Sequence, residues 1–392
     1  MIRVVVLFAV LSAALWLAGC ANGPARVEVV PVVSEEIDAV LLLVGDAGAP
    51  AEPTEPVLVA LVRESARYQD RTVVVFLGDN IYPSGLPPPD HDDRDEAERR
   101  LGAQIEVIEK SGTRGIFLPG NHDWDWGGDD GWAAIQRQNG FLADRSSSRV
   151  TQQPADGCPG PEIVEIGSHV RLVILDTQWW LHTGSKPQHP TSTCEYDSPQ
   201  EVLDALLAAI DDTSRHVVVA AHHPLVSGGP HGGHFGWLDH VFPLRHAASW
   251  LWIPLPLLGS IYPVSRMQGF TDQDVSGSRY QTMRQSLEQV FSEHAPLVYA
   301  AGHEHNLQVL THPLVSYHLI SGGGIHDQAM PAFDTDGTLL AVQESGFMRL
   351  EVLRDGRILL TVLVVEESGT TRPVFHRQLD VNGSVTGAGH GW

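Results

Sequence analysis

The stretch Val74-Val75-Phe76-Leu77-Gly78-Asp79-Asn80-Ile81-Tyr82 reads as a buried strand that stops at a glycine and turns out an aspartate. A run of β-branched and aromatic residues closing on Gly-Asp delivers a carboxylate to the carboxyl edge of a sheet. Four other apolar runs end in the same way. Residues 41–45 close on Asp46, and 116–120 close on Asn121-His122-Asp123. Residues 217–221 close on His222-His223-Pro224, and 297–302 on His303-Glu304-His305. Five strand ends carrying Asp, Asn or His predict one polar site on one sheet edge.

Outward from this stretch, the patterning predicts strands over 38–44, 72–77 and 115–118, with helices over 55–68 and 96–111 between them. Repeated β-α-β calls for a parallel sheet covered by helices. A short helix is expected over 129–139 and a loop over 146–161. Two strands, 162–166 and 170–176, are joined by a Gly-Ser turn. The helix expected over 198–210 opens on Ser198 with Glu201 three residues on, a capping pair. A strand over 216–221 and a helix over 279–294 follow. Beyond Ala301, strands over 316–320, 346–353 and 357–364 have no helices between them, and Arg354-Asp355-Gly356 is a hairpin signal. The expected fold is α/β: two packed mixed β-sheets flanked by helices. It forms one domain over 37–380, with an insertion at 231–275 and a tail over 381–392.

The 392 residues carry 48 Asp and Glu against 25 Lys and Arg, a formal net charge of −23. Such an excess repels phosphate backbones, so nucleic-acid binding is not expected. An anionic substrate must then be drawn in by local positive charge, which a metal pair supplies. Residues 1–19 pair Arg3 with an apolar run over 4–17, too short to span a bilayer comfortably. They lead into Leu17-Ala18-Gly19-Cys20, which resembles the bacterial lipobox. That resemblance implies cleavage before Cys20 and a lipid on its thiol. The mature chain would then be tethered on the extracytoplasmic side of the cell envelope through a linker over 20–36. A plain secretory signal or an anchoring helix is the other reading. In an oxidising compartment the remaining pair, Cys158 and Cys194, is expected to form a disulfide, two buried thiols being the alternative.

The insertion contains Trp250-Leu251-Trp252-Ile253-Pro254-Leu255-Pro256-Leu257-Leu258, the most apolar stretch after the leader. Its two prolines argue against a membrane-spanning helix. It reads either as a lid packed on the body or as a Trp-bearing loop that touches a membrane surface.

Taken as ligands, Asp46, Asp79, Tyr82, Asn121, His222, His303 and His305 offer carboxylate, phenolate, amide and imidazole donors. This mixed oxygen and nitrogen set suits iron, manganese or zinc rather than calcium. Seven ligands exceed one ordinary site and suit two metals sharing a carboxylate, which can hold the attacking and leaving oxygens of a phosphoryl transfer. Each motif alone has a bland reading: a packed core histidine, a surface turn, a helix cap. Their joint occurrence at five strand ends is what carries the metal site.

The series Asp46-Ala47-Gly48, Gly78-Asp79-Asn80-Ile81-Tyr82, Gly120-Asn121-His122, Val219-Ala220-Ala221-His222 and Gly302-His303-Glu304-His305 resembles the calcineurin-like metallophosphoesterase signature. Within that superfamily it is most similar to the purple acid phosphatases of the tartrate-resistant type. The general family has Asp-x-His at the first motif, and Gly48 stands where that His would be. Tyr82 stands where the purple acid phosphatases place a tyrosinate on ferric iron.

The resemblance implies a dinuclear centre. Fe³⁺ would be held by Asp46, Tyr82, His305 and bridging Asp79. Fe²⁺, Zn²⁺ or Mn²⁺ would be held by Asp79, Asn121, His222 and His303. It further implies that His122 and His231 hold phosphate oxygens or protonate the leaving group, with Asp123 either orienting His122 or serving only as a turn residue and His223 as a possible pocket residue. The expected activity is hydrolysis of small phosphate monoesters. A phosphodiesterase or nucleotidase on the same core is the near alternative, and a non-catalytic surface binding protein is the alternative of another class. No protein partner follows from the sequence.

Overall fold

The computed structural model describes residues 27, 29, 32–145, 149–190, 192–211, 214–246 and 250–380. The leader, Cys20, most of the 20–36 linker and the 381–392 tail lie outside the described residues. The chain forms two mixed seven-stranded sheets. In the first, β1 (Ile37–Val44), β2 (Thr72–Phe76), β3 (Arg114–Phe117) and β4 (Val150–Gln152) run parallel. They are extended antiparallel by β12 (Gly346–Leu353), β13 (Ile358–Val365) and β14 (Thr371–Leu379).

In the second sheet, β6 (Val170–Ile174), β7 (His216–Ala220), β8 (Val298–Ala301) and β10 (Val315–Ser321) are parallel. The antiparallel strands β5 (Glu162–Ile166), β9 (Leu307–His312) and β11 (Thr338–Val342) complete it.

The period-2 alternation of strands explains the layering. Leu41 and Leu43 of β1 join Val218 and Ala220 of β7 in the core between the sheets. Val40, Leu42 and Val44 face the other way, onto the helices Pro56–Ala66 and Arg94–Ser111. Val217 and Val219 likewise face the helices Pro199–Ile210 and Ser278–Glu293. The central strands of both sheets are therefore buried on two faces, as near-continuous apolar strands require. The helix Pro56–Ala66 starts where it does because the Glu55 side chain accepts the Val57 N–H at 3.1 Å and Pro56 occupies a first-turn position that needs no N–H.

The sheets touch at the edge where the motifs end. The Gly45 N–H donates to the Ser321 carbonyl at 2.7 Å, and the Ser321 hydroxyl donates to the Leu43 carbonyl at 2.7 Å. Cys158 and Cys194 are bonded, which closes the 158–194 segment over this body.

The expected loop over 146–161 contains β4, a three-residue edge strand with only one apolar residue, too short for alternation to register. The strands β9, β11 and β14 also escaped the sequence pattern. β14 is half-exposed over most of its length and carries Pro373, so neither a buried run nor clean alternation marks it. The insertion folds into the short helices Trp237–Val241 and Ile261–Met267 linked by turns. Among the described residues no helix is long and apolar enough to cross a membrane.

Phe76 ends β2 three residues before Asp79 and stacks on Phe117, ring centroids 4.2 Å apart. Truncating it leaves a cavity beneath the strand that aims Asp79. Phe76→Ala should lower stability by about 3–5 kcal/mol in urea titration, and a loss below about 1 kcal/mol would contradict this packing.

Candidate metal centre

Three of the strand-end residues adopt a left-handed backbone: Asp46 at φ 60°, Asp79 at φ 55° and His303 at φ 68°. Non-glycine residues enter this region at a cost, and such strain clusters where function demands it. The effect here is to fold each side chain back across its strand end, into the crevice between the two sheets.

The side chains meet in two groups. In the first, the Tyr82 hydroxyl lies 3.2 Å from Asp46 Oδ1, 3.2 Å from Asp79 Oδ2 and 2.9 Å from His305 Nε2. His305 Nε2 is 3.4 Å from Asp46 Oδ1. In the second, Asn121 Oδ1 is 3.0 Å from both His222 Nε2 and His303 Nδ1, which are themselves 3.2 Å apart. Asp79 joins the groups, its Oδ2 facing Tyr82 and its Oδ1 3.5 Å from His222 Nε2. All seven sequence-predicted ligands are thus brought together. Asp46, Asp79, Asn121, His222 and His303 are buried.

The polarity of the second group fits a cation. A carbonyl oxygen only accepts, so each contact below fixes a tautomer. The His222 Nδ1–H donates to the Leu77 carbonyl at 2.8 Å, and the His303 Nε2–H donates to the Gln273 carbonyl at 2.7 Å. The opposite ring nitrogens then carry lone pairs, and these point at each other and at the Asn121 carbonyl. Three acceptors facing one point need a positive charge between them.

The charge balance agrees. With no ion bound, burial would disfavour protonation of His222, yet the Asp79 carboxylate lifts its pKa to about 9, so a proton on Nε2 stands where a cation would sit and must leave when one binds. Burial opposes a charged His305 too, and Asp46 raises it above the ordinary imidazole value. Burial, followed by the charges of Asp79 and Asp46, pushes the Tyr82 phenol well above its usual pKa. A phenolate beside two carboxylates requires a multiply charged cation to offset them.

Gly48 gives a physical reason for the missing family histidine. A β-carbon there would lie 2.6 Å from the Asp79 carbonyl oxygen and 2.6 Å from the Ile81 nitrogen. The Tyr82 N–H donates to the Gly48 carbonyl at 3.1 Å. Only glycine lets the 79–82 turn close on this strand end and swing the phenol into the vacant ligand position.

His122 sits at the rim, edge-on to Trp126 with ring centroids 4.0 Å apart. Its Nδ1–H donates to the Pro83 carbonyl at 2.6 Å, leaving Nε2 facing Asp79 Oδ2 at 3.8 Å. Of the two readings of Asp123, the contacts fit the turn residue. The buried Asp123 carboxylate instead accepts from the backbone N–H of Asn80, Ile81 and Gly120 and from Asn80 Nδ2, at 2.8–3.2 Å. It pins the turn bearing Asp79 to the turn bearing Asn121. Burial and then the Asp79 charge raise its pKa to about 7.

His223 is buried and belongs to the supporting layer. Its Nδ1 is 2.8 Å from the Thr177 hydroxyl and its Nε2 is 3.0 Å from Gln273 Oε1, which leaves no lone pair for a metal. His231 packs on His303, ring centroids 4.1 Å apart. Its Nδ1 lies 3.0 Å from Asp274 Oδ1 and 2.9 Å from Arg266 Nη2.

Four residues here were not singled out from sequence: Arg266, Gln273, Asp274 and Glu304. The buried Glu304 carboxylate accepts from the Ser227 hydroxyl at 2.7 Å and from the His231 N–H at 3.1 Å. Its place inside Gly-His-Glu-His was the available signal. The other three come from the insertion and approach through the fold, with no local motif.

The profile of the calcineurin-like phosphoesterase family matches residues 39–307. No curated protein matches the sequence. Among solved structures, the chain is similar to GAP50, the anchor in the inner membrane complex of Plasmodium, at 14% identity and a TM-score of 0.55, covering 88% of this chain and 90% of that one. It is also similar to a purple acid phosphatase, PPD1, from yellow lupin (Lupinus luteus) seeds, at 16% identity and a TM-score of 0.53, covering 88% of this chain and 54% of that one. At such identities the likeness speaks to the fold alone.

Asp123→Ala would leave buried N–H donors without an acceptor. It should cost about 3 kcal/mol in chemical denaturation and lower the bound metal content. A variant of full stability and full metal content that lost only turnover would restore the His122-orienting role.

Proposed function

Because this chain belongs to the calcineurin-like phosphoesterase family, whose members are metal-dependent hydrolases, we propose that it hydrolyses phosphate monoesters at a dinuclear site, in the manner of an acid phosphatase. The observation that carries this reading is the meeting of seven donor side chains in two groups that share Asp79. Asp46, Tyr82, His305 and Asp79 would hold Fe³⁺, since hard anionic oxygens favour a trivalent ion. Asp79, Asn121, His222 and His303 would hold Fe²⁺, Zn²⁺ or Mn²⁺.

Bound there, the metals would supply a water acidic enough to attack phosphorus near neutral pH and would offset charge on the phosphoryl oxygens. The chain's own groups do the rest. With Nδ1 given to Pro83, His122 Nε2 is the atom that can exchange a proton with a leaving alkoxide. Nδ1 of His231 is occupied by the Asp274–Arg266 pair, so its Nε2 is the atom left to hold a phosphate oxygen.

A cleft of about 490 Å³ opens beside Tyr82, and Asp93, Glu96, Asp125 and Asp130 line it with His91 and Arg100. Arg100 is engaged by Glu96 and the Tyr82 carbonyl. Glu96 is offset by Arg99 and Arg100 and Asp130 by Arg137, while Asp93 and Asp125 remain to repel a second phosphate, which disfavours a nucleoside polyphosphate.

The 1–20 pattern supports a lipid-anchored place on the extracytoplasmic side of a bacterial envelope, and the Cys158–Cys194 bond suits an oxidising compartment. The fold does not itself guarantee turnover. A similar structure is described as an anchor, so a binding role is the reading to which failed catalysis would point.

The purified protein should show a broad visible absorption band that Tyr82→Phe abolishes. Asp79→Asn should lower phosphate release from a monoester by about 10³-fold or more, several kcal/mol of transition-state stabilisation. A colourless, active protein would place Zn or Mn in both positions, and a faster rate on the diester would overturn the monoesterase reading. Metal binding without turnover of either ester would leave the binding role. Lipid attachment has its own check: a labelled fatty acid should enter the full chain and be lost in Cys20→Ala.

A further inference from the structure

The insertion presents its apolar residues the wrong way round for a protein in water. In the helix Ile261–Met267, Arg266 and Tyr262 form the inward contacts, hydrogen-bonded to each other at 3.0 Å, with the guanidinium also bonded to Asp274. The apolar positions Ile261 and Val264 face out, and Leu257, which precedes the helix, is 90% exposed. Leu257 also has φ 71°, a conformation that a branched side chain rarely adopts, and it sits at a turn that points the side chain away from the body. Phe270 is 87% exposed and Trp250 76% exposed.

These residues belong to one packed piece. The Leu255 N–H donates to the Val241 carbonyl at 2.8 Å, and the rings of Phe242 and Trp252 lie 5.4 Å apart. The run 240–271 contains no Asp or Glu, in a chain that carries 48 of them.

We propose that this surface docks the domain onto a lipid bilayer, with the metal centre beside the contact. Three arguments select a bilayer. Side chains that project with so few neighbours suit insertion among acyl chains better than a flat, complementary protein face. Trp residues favour the boundary between headgroups and hydrocarbon. The absence of acidic residues removes the groups whose desolvation would resist contact. The surface also borders the site. Phe270 is three residues from Gln273, whose carbonyl accepts from His303, and Met267 adjoins Arg266, which reaches His231.

A lipid on Cys20 is compatible with this orientation. Residues 21–33, ahead of the 3-10 turn Ser34–Glu36, could reach at most about 45 Å, more than the roughly 26 Å height of the eight-residue β1. Docking itself requires neither the lipid nor ester turnover.

The body remains strongly acidic, so the contact is apolar in origin. It should be no weaker on zwitterionic than on anionic vesicles, and added salt should not release it. The test uses a chain starting at residue 21, which keeps both sheets whole and lacks the lipid-bearing cysteine. It is sedimented with phosphatidylcholine vesicles and with 3:1 phosphatidylcholine–phosphatidylglycerol vesicles, in 0.1 and 0.5 M salt. The expected result is co-sedimentation with the zwitterionic vesicles at both salt concentrations. Combining Trp250→Ala, Trp252→Ala, Leu257→Ser and Phe270→Ser should reduce partitioning at least tenfold while metal content and melting temperature stay unchanged.

Wild-type protein left in the supernatant would overturn the proposal, as would equal partitioning of the variant. Binding confined to the anionic vesicles and released by salt would also overturn it. So would a lipid-free dimer that the variant dissociates, which would assign the surface to a second copy of the chain.

Discussion

Two buried carboxylates, Asp46 and Asp79, lie against a single phenol hydroxyl at 3.2 Å each. In an apolar interior such crowding is unfavourable unless positive charge is placed nearby. Much of the fold is arranged around that requirement. Parallel strands from both sheets end at one edge, and three of them hold a strained left-handed residue, Asp46, Asp79 or His303, at the tip. The backbone then takes up what hydrogen bonds it can. The His303 N–H donates to Asp46 Oδ2 at 2.8 Å and the His122 N–H donates to Asp79 Oδ1 at 2.9 Å. These contacts aim the remaining carboxylate lone pairs into the crevice, where His222 and His305 supply only part of the charge.

What was legible in the sequence follows from what is local. A buried parallel strand writes itself as a run of Val, Leu and Ile, and its functional residue must sit just past the run, so Asp46, Asp79, Asn121, His222 and His303 could be read directly. Helices with a buried stripe were equally plain, and their ends fell within two residues of expectation, except that the helix expected over 129–139 runs on to Arg145. Edge strands were not, because β4 and β14 bury one side weakly and leave little periodicity. The role of Asp123 was left open between two readings for a related reason. Its neighbour in sequence is His122, but its partners are backbone groups of the 79–81 turn, brought over by the pairing of β2 with β3. The Arg266–Asp274–His231 cluster lay beyond any local reading.

The insertion is more than an appendage. Its return segment supplies the carbonyl that sets the His303 tautomer and the carboxamide that holds His223. Its helix contributes the guanidinium that neutralises the Asp274 carboxylate behind His231, and this pairing keeps Asp274 below the usual carboxylate range despite burial. Orientation of the ligand histidines is therefore shared between the two-sheet body and a segment in which only His231 hinted at chemistry. A lid that merely covered the site could be trimmed without touching the ligands. This one cannot lose its 266–274 portion without loosening His231 and His303 together.

The close approach at Gly48 has a consequence for how such a site can change over time. The space that a histidine side chain would need is filled by the backbone of 79–81, and that same backbone carries Tyr82. Restoring histidine at 48 alone would force the turn outward and take Asp79 with it, while removing the tyrosine alone would leave the position without a donor. Each single step passes through a form poorer than either end, so the two positions are epistatic and behave as one heritable unit. A lineage that has taken the Gly–Tyr pair is held there by packing as well as by preference for a metal, and the ratchet lies in the backbone of a single turn.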